Sequence, residues 1–327
     1  MKIMSSQDYK LFERLVSLSQ GSLKETMAQY LKPRYDKIIH TQDYIVAIGN
    51  IPIALVAHMD TVFKEPVQDM YYDQQKGVIW SPEGIGGDDR CGVFAIIKII
   101  QSGLRPSIIL TTDEEKGGLG AAALAEKKCP IPGLKYMIEL DRRGTNDCVF
   151  YDCYCPEFSQ YVSSFGFCEA YGSFSDISFL MGAWNICGVN LSVGYHGEHS
   201  ETEIVKIAPL YDTIRKVKNM LNEKNIPDFK FEELDYMKYL RAYYMNTDFG
   251  TRCDHCKGLF SDDELFPVKG KDGTLKMYCT DCVIGNVNWC SVCGEAFEIT
   301  KATDLVCKDC RGGKEKCSAT SKNNSKK

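Results

Sequence analysis

Five short polar groups in the first two-thirds of the chain contain residue types that bind metal ions and transfer protons. Charged groups gathered in one place repel one another and lose hydration unless a cation compensates them. Carboxylates combined with imidazoles suit divalent transition metals, so these residue types predict a site for a pair of such ions. The groups are His58-Met59-Asp60, Gly86-Gly87-Asp88-Asp89, Asp113-Glu114-Glu115, Asp141 and Tyr195-His196-Gly197-Glu198-His199.

Two details of spacing favour hydrolytic chemistry at this site. Asp60 lies two residues after His58, so both side chains point to the same side of an extended chain. Asp60 is therefore placed to fix the orientation of the His58 ring, as a metal-bound histidine requires. The adjacent residues Glu114 and Glu115 allow one carboxylate to bind metal while the other stays free as a general base.

The segments around these groups have the patterns of strands and helices in alternation. Such alternation predicts an α/β fold, with a mostly parallel, mixed central sheet flanked by helices. Active sites of such folds form at the carboxyl ends of strands, and four of the five polar groups follow a predicted strand. The predicted strands are 44–48, 51–57, 107–111, 136–140 and 186–193. The predicted helices are 5–31, divided by a break at Gly21 and Ser22, then 91–100, 120–126, 158–164, 177–181 and 210–221.

The order of the polar groups resembles the pattern of metal ligands in the zinc-dependent exopeptidase superfamily. This superfamily includes carboxypeptidase G, bacterial tripeptidases and leucyl-type di-zinc aminopeptidases. The family pattern runs H-x-D, D-[DMN]-[KR]-x-G, E-E, D and H-[ST]-x-x-E. All five elements occur here in the family order, across about residues 5–222, which makes the combined match specific although each piece alone is weak. The matching segments are A-H-M-D-T-V at 57–62, G-G-D-D-R-C-G at 86–92, D-E-E-K-G-G at 113–118, E-L-D-R-R at 139–143 and H-S-E-T-E-I-V at 199–205.

The resemblance implies a role for each matched residue. The family spacing H-x-x-x-E selects His199, with Glu203, over His196 as a metal ligand. His196 is then expected to line the substrate pocket. Asp176 matches a recurrent acidic position of the family and is expected to support the substrate site, whereas Asp89 is expected to be a neighbour of a ligand and not a ligand. The resemblance implies that His58 and Asp141 hold one zinc ion, that Glu115 and His199 hold a second, and that Asp88 bridges the two. It further implies that Glu114 is the general base and that Asp60 orients His58.

Two inserts found in relatives are too long for this chain. Only 57 residues separate Asp141 from His199, too few for the lid and dimerisation domain of the carboxypeptidase branch. Only 27 residues separate Asp60 from Asp88, too few for the small β-domain of another branch. The chain is therefore most similar to the compact, lid-less branch, in which aminopeptidases predominate.

The resemblance implies a zinc-dependent aminopeptidase that hydrolyses the N-terminal residues of peptides. A water that bridges the two zinc ions would attack the scissile carbonyl after Glu114 takes its proton. Two alternatives stay open, an amidohydrolase or deacylase that acts on N-acyl amino acids, and a catalytically inactive peptidase-fold adaptor. The sequence leaves the preferred side chain of the substrate, the native metal and the oligomeric state open.

Eight of the 16 cysteines form four C-x-x-C pairs near the C-terminus. Two such pairs separated by a hairpin-length insert make a tetrahedral Cys₄ zinc site, so residues 253–310 are predicted to be a small zinc-ribbon or treble-clef module with two structural zinc ions. Sequential pairing is favoured over a cross-brace, because inserts of 22 and 13 residues within the sequential sites suit such units. The pairs are Cys253 with Cys256, Cys279 with Cys282, Cys290 with Cys293 and Cys307 with Cys310.

Changes of composition divide the chain into four parts. They are a catalytic domain at 1–222, a linker with a short helix at 223–252, the double zinc module at 253–310 and a disordered polar tail at 311–327. The module has two interpretations, a surface for a protein partner and an appendage that only stabilises the chain.

Charge and hydropathy exclude several classes of partner. A net charge of −5 over 327 residues does not indicate a basic surface that would bind nucleic acid or an anionic membrane. No apolar run approaches the roughly 18 residues of a membrane helix, and the N-terminal segment lacks the apolar core of a signal peptide. Seven irregularly spaced cysteines before residue 190 are typical of reduced thiols. A cytoplasmic location is therefore expected, with a peptide as the substrate.

Overall fold

The computed structural model describes residues 3–233, 251–260, 265–301 and 303–311. The chain divides into two compact units, Met1–Leu234 and Asp235–Lys327. The short helix expected in the linker falls on residues 234–250, and most of the expected polar tail falls on residues 312–327, so both predictions lie outside the described residues. No helix in the described ranges is both long and apolar enough to cross a membrane.

The first unit is built around an eight-stranded mixed sheet. Its strand order is β1-β2-β6-β3-β7-β10-β8-β9, and the four central strands β6, β3, β7 and β10 run parallel. The parallel centre and the helices around it confirm the predicted α/β class. The strands of the sheet are β1 Lys37–His40, β2 Tyr44–Ile48, β3 Ile51–His58, β6 Pro106–Thr111, β7 Tyr136–Arg142, β8 Asp147–Val149, β9 Cys168–Glu169 and β10 Cys187–Ser192.

Helices surround this sheet and bury their apolar sides against it or against one another. Helix α3 is almost wholly buried and packs against β3 and β7, while α1 and α7 pack against α3. Helices α4 and α6 pack against each other, and α6 contacts β10 and β3. The helices are α1 Ser6–Val16, α2 Gln20–Leu31, α3 Gly87–Gln101, α4 Leu119–Ala125, α5 Pro156–Ser164, α6 Asp176–Trp184 and α7 Ile207–Leu221, with a 3₁₀ turn at Glu114–Lys116.

The break between the first two helices was predicted at the wrong place. Gly21 and Ser22 lie inside α2, and the connection is formed by residues 17–19. The physical reason is a helix cap, because the Ser19 hydroxyl accepts a hydrogen bond from the Ser22 N–H at 3.3 Å. A capped start at Gln20 outweighs the low helix propensity of Gly21 in the first turn.

A second, antiparallel sheet of four short strands joins two parts of the candidate site. Its strand order is β11-β12-β5-β4. The β4–β5 hairpin, which lies between Asp60 and Asp88 in sequence, pairs through β5 with β12 of the β11–β12 hairpin, whose loop contains His199. The segment that is too short for a β-domain thus forms one hairpin of this sheet. The strands are β4 Tyr71–Asp73, β5 Val78–Trp80, β11 Tyr195–His196 and β12 Ile204–Lys206.

The first residues of the expected linker pack on the core of the first unit. The Phe229 ring lies 4.8 Å from the Phe158 ring and 5.8 Å from the Tyr136 ring, measured between centroids. Phe231 is buried, with 8% of its surface exposed. Residues 223–233 therefore contribute apolar contacts to the catalytic unit.

The second unit consists of short strands and two single-turn helices that present cysteines. Its four-stranded sheet has the order β16-β15-β18-β17, and a two-stranded hairpin precedes it. In each half, a hairpin carries the first C-x-x-C pair and a helix start carries the second, which is compatible with the predicted small module. The elements are β13 Thr251–Arg252, β14 Leu259–Phe260, β15 Leu265–Lys269, β16 Leu275–Cys279, α8 Thr280–Val283, β17 Val287–Trp289, β18 Ala296–Glu298 and α9 Lys308–Arg311.

Candidate active site

The carboxyl ends of adjacent parallel strands deliver the polar groups to one place. His58 is the last residue of β3, and the 3₁₀ turn with Glu114 and Glu115 follows β6. Asp141 was expected after a strand, but it lies within β7, which continues to Arg142 because it pairs there with the end of β10. His199 lies in the loop between β11 and β12, where its φ of 61° places it in the left-handed region.

Asp88 is shared between two groups of potential metal ligands. Its Oδ1 lies 2.9 Å from His58 Nε2, and its Oδ2 lies 3.3 Å from His199 Nε2. Asp141 Oδ1 lies 3.6 Å from His58 Nε2, and Glu115 Oε2 lies 3.0 Å from His199 Nε2. Within each group, His58–Asp88–Asp141 and Asp88–Glu115–His199, the donor atoms lie within 4.8 Å of one another. The structure thus brings together the five residues that the family pattern singled out as ligands.

The chemistry of this donor set fits a pair of divalent cations. Burial raises the pKa of Asp141 to about 6 and the pKa of Glu115 to about 7, and the negative charge of Asp88 adds to both shifts. Carboxyl groups that are costly to ionise in a buried site gain a compensating charge when a cation binds. One imidazole nitrogen and carboxylate oxygens at each half of the site are donors that zinc accepts.

Asp60 connects the two strand ends through three hydrogen bonds. Its Oδ1 lies 3.2 Å from His58 Nδ1, which leaves Nε2 of that ring facing Asp88. The same carboxylate accepts the N–H of Glu114 and the N–H of Glu115, each at 3.1 Å. One side chain therefore sets the orientation of His58 and the position of the Glu114–Glu115 turn.

Glu203 holds the glycine-rich turn that carries Asp88. The buried Glu203 carboxylate accepts the N–H of Gly86 at 2.8 Å and the N–H of Asp88 at 3.0 Å. A Cβ atom on Gly87 would lie 2.8 Å from the Tyr195 side chain, so only glycine fits there. The peptide bond between Asp88 and Asp89 is cis.

Asp89 and Asp88 have different environments although they are neighbours. The buried Asp89 carboxylate accepts the backbone N–H of His58 at 3.3 Å and that of Gly92 at 2.8 Å. Asp89 belongs to neither of the two ligand groups that share Asp88, nor to the third group of the first unit, which joins His58 with Glu114 and Glu115. Its contacts join the start of α3 to the end of β3.

Sequence reasoning missed two hydroxyl groups that hold Asp141. The Tyr195 hydroxyl donates to Asp141 Oδ1 at 3.0 Å, and the Ser175 hydroxyl donates to Asp141 Oδ2 at 3.1 Å. Asn190 adds a bond from its side-chain amide to the Asp141 backbone carbonyl at 2.9 Å. Ser175 stands next to the singled-out Asp176, and Tyr195 opens the fifth polar group, but neither has a local signal for this role.

The two residues expected at the substrate belong to none of the groups of possible metal ligands. His196 is half-buried in β11, and among the described residues its Nε2 has no hydrogen-bond partner. Asp176 is fully buried at the start of α6, where it accepts a hydrogen bond from the Thr111 hydroxyl at the end of β6. Asp176 therefore supports the strand end that precedes Glu114 from inside the protein.

The cysteines of the second unit form two groups, in the sequential arrangement. Cys256 Sγ lies 3.9 Å from Cys279 Sγ, and Cys293 Sγ lies 3.9 Å from Cys307 Sγ. Burial opposes ionisation of Cys253, but backbone N–H donors outweigh it and lower the pKa of this thiol to about 6. Thiolates within 4.8 Å of one another suit a tetrahedral metal. The groups are Cys253, Cys256, Cys279 and Cys282, and Cys290, Cys293, Cys307 and Cys310.

Comparison with known proteins identifies the fold. No family model and no curated protein matches the sequence. A tripeptidase from Staphylococcus aureus superposes with a TM-score of 0.53 at 13% identity, covering 66% of this chain and 97% of that chain. The TET aminopeptidase of a marine sediment Thaumarchaeota archaeon gives a TM-score of 0.53 at 12% identity, with coverage of 68% and 98%. The first unit of the chain therefore shares the α/β fold of these two peptidases.

A third similar structure supports the same assignment. An aminopeptidase from the archaeon Desulfurococcus kamchatkensis gives a TM-score of 0.50 at 16% identity, covering 67% of this chain and 96% of that chain. At identities this low, the similarity establishes a shared fold, and the function has to be argued from the site.

Proposed function

We propose that this chain is a zinc-dependent aminopeptidase that removes N-terminal residues from peptides. The observation that carries the proposal is the position of Asp88, whose two oxygens face His58 and His199. Such a shared carboxylate is what a pair of metal ions acting on one water molecule requires. The metallopeptidase fold of the chain supports the same reaction class.

In this proposal, the two ligand groups hold one zinc ion each. When bound, the two ions would supply Lewis acidity, which makes a water molecule acidic and polarises the scissile carbonyl. Asp60 keeps the His58 ring in the tautomer whose Nε2 is free to bind. Glu203 keeps Asp88 in place, and the hydroxyl of Tyr195 keeps Asp141 in place.

Glu114 is the general base of the proposed reaction. Among the described residues, its carboxylate makes no hydrogen bond, and its backbone is fixed by Asp60. Burial raises the pKa of Glu114 to about 8, although the charge of His58 opposes the shift. Because Glu114 is the neighbour of the ligand Glu115 and its own carboxylate is free, it can take a proton from the attacking water and pass it to the leaving amine nitrogen.

The compact chain favours an aminopeptidase over a deacylase. Only 57 residues lie between Asp141 and His199, too few for the lid and dimerisation domain of the carboxypeptidase branch. Peptides with a free N-terminus are therefore the first substrates to test.

The decisive experiment compares matched peptides as substrates of the zinc-loaded protein. We expect hydrolysis of dipeptides and tripeptides with a free N-terminus and none of the same peptides after N-acetylation. Release of free amino acid is followed by chromatography, and zinc content is measured on the same sample. Hydrolysis of N-acyl amino acids alone would favour the deacylase, and a fully metal-loaded protein that hydrolyses none of these compounds would favour the inactive adaptor.

A further inference from the structure

Three cysteines of the first unit meet at the far end of β10 from the candidate active site. Cys187 is the first residue of β10, and Cys153 and Cys155 lie in the segment between β8 and α5. Strand β8 pairs antiparallel with β10, with Val149 opposite Asn190, so the chain beyond β8 runs back towards the start of β10. All three cysteines are buried in the core of the unit.

The Cys187 thiol is the central member of this cluster, and all three thiols are free in the structure. It hydrogen-bonds with Cys153, and it also contacts the sulfur of Cys155. The hydrogen bond from Cys187 and a second one from the Gly188 N–H lower the pKa of Cys153, although burial opposes the shift. The contact with Cys153, together with burial, raises the pKa of Cys187. Cys153 is therefore the member that ionises most readily, and the thiolate is the reactive form of a cysteine.

The arrangement of the three sulfurs suits pairwise chemistry and not metal binding. Within the described ranges, they do not form one of the groups whose donor atoms lie within 4.8 Å of one another, whereas the C-x-x-C pairs of the second unit form two such groups. A thiolate metal site requires its sulfurs to surround one point. A disulfide requires only two neighbouring sulfurs, and Cys153 and Cys187 satisfy that condition.

The segment with Cys153 also holds the last described residues of the first unit. The Tyr154 N–H donates to the Glu232 carbonyl oxygen at 2.8 Å, and Cys153 forms a β-bridge with Glu233. Cys187 belongs to β10, a strand of the central sheet. A bond between Cys153 and Cys187 would therefore fasten the C-terminal end of the unit to the sheet.

We propose that Cys153 and Cys187 form a site of reversible oxidation, at which a hydroperoxide such as hydrogen peroxide converts the two thiols into a disulfide. The Cys153 sulfur attacks one peroxide oxygen, the O–O bond breaks, and a sulfenic acid and one water are formed. The Cys187 sulfur then attacks the sulfenic sulfur, the S–O bond breaks, and the hydroxyl leaves as a second water with the Cys187 proton. The two thiols lose two electrons, and the peroxide gains them. This inference does not depend on the proposed peptidase function.

The test maps disulfides in the full-length, zinc-loaded protein after treatment with hydrogen peroxide and alkylation of the remaining thiols. Trypsin cannot separate the three cysteines, because residues 144–205 contain no lysine or arginine. Chymotrypsin cleaves after Tyr154 and so separates Cys153 from Cys155. Mass spectrometry should find the Cys153–Cys187 cross-link in most chains, and dithiothreitol should remove it.

A matched pair of variants connects the cross-link with stability. Cys153→Ser should abolish the cross-link, whereas Cys129→Ser, at a half-buried thiol outside the cluster, should leave it unchanged. In the wild type and in Cys129→Ser, peroxide should raise the midpoint of thermal unfolding of the first unit by about 5 °C or more, because a cross-link restricts the unfolded chain. Cys153→Ser treated in the same way should lack this rise, which separates it from any effect of peroxide on the cysteines of the second unit.

Three outcomes would overturn the proposal. They are oxidation of Cys153 to a sulfinic acid without a cross-link, a disulfide between Cys155 and Cys187 in place of the expected one, and formation of the cross-link only after the protein is unfolded. The peptide map of the wild type decides among these outcomes without any variant, so the test stands even if Cys153→Ser does not fold.

Discussion

At the scale of single residues, the candidate site depends on side chains that each serve two neighbours. Asp88 faces both imidazoles, and Asp60 contacts both the His58 ring and the backbone of the Glu114–Glu115 turn. A change at such a residue affects two parts of the site together. A change at Glu114, whose carboxylate is not used to hold the structure, should affect the reaction alone.

Glu114→Gln should keep both catalytic metals and lose activity by about 10²–10⁴-fold, since a general base typically contributes that much. The amide has the size of the carboxylate but cannot take a proton. Metal content by elemental analysis and kcat with a leucyl peptide are measured on the same preparation. A Gln variant that works at nearly the wild-type rate would remove Glu114 from the mechanism.

Asp88→Asn and Asp89→Asn form a matched pair that tests the bridging position. The first substitution should lower metal occupancy at both catalytic sites, because each oxygen of Asp88 faces a different imidazole. The second should leave occupancy nearly unchanged, because Asp89 accepts backbone N–H groups and belongs to neither ligand group. Equal metal loss in the two variants would argue against Asp88 as the bridge, and the reverse order would move the bridge to Asp89.

At the scale of structural elements, the glycine-rich turn before α3 depends on a carboxylate from another segment. Glu203, just before β12, accepts the N–H groups of Gly86 and Asp88 across more than a hundred residues of sequence. The second sheet keeps these segments together, because β12 pairs with β5. The turn is therefore held by a tertiary contact and not by its own sequence.

Glu203→Ala should destabilise the fold and weaken metal binding together. It leaves two buried N–H groups without an acceptor, at a cost of about 1–3 kcal/mol for each group. Urea unfolding measures the free energy, and competition with a chelator measures metal affinity. Glu201→Ala, at an exposed position in the same loop, is the control and should change neither quantity. Equal effects of the two substitutions would contradict the role of Glu203.

At the scale of the whole molecule, the two units contain two chemically different kinds of metal group. Carboxylates and imidazoles form the groups of the first unit, and thiolates form those of the second. The first unit also uses residues 223–233, whose Phe229 and Phe231 pack on its core. The folding of the first unit and its metal binding should therefore not require the cysteines of the second unit.

A chain that ends at residue 234 should bind about two metal ions and keep peptidase activity, whereas the full chain should bind about four. A chain that ends at residue 222 should be much less stable, because loss of a buried phenylalanine costs about 3–5 kcal/mol. Elemental analysis and thermal unfolding of the three chains check both statements. A chain ending at residue 234 that folds but binds no metal would contradict the independence of the catalytic groups.

The fold class and the residue types of the site could be predicted from the sequence alone. Strand β2 and most of β3 could be predicted because a run of apolar residues is a local pattern that needs no knowledge of distant contacts. The polar groups could be expected at one edge because parallel strands end together. The C-x-x-C pairs could be recognised because the spacing of thiolates is itself the signal.

Which atoms of the site face one another became known from the three-dimensional arrangement of the elements. The hydroxyl of Tyr195 reaches Asp141 and the carboxylate of Glu203 reaches Asp88 because β11 and β12 fold back beside α3. A cavity of about 470 Å³ beside Glu115 is likewise formed by segments that are far apart in sequence, since Leu18, Ser19 and residues 60–67 all line it. Such contacts are set by how strands and helices stack, and no local pattern of residues encodes that stacking.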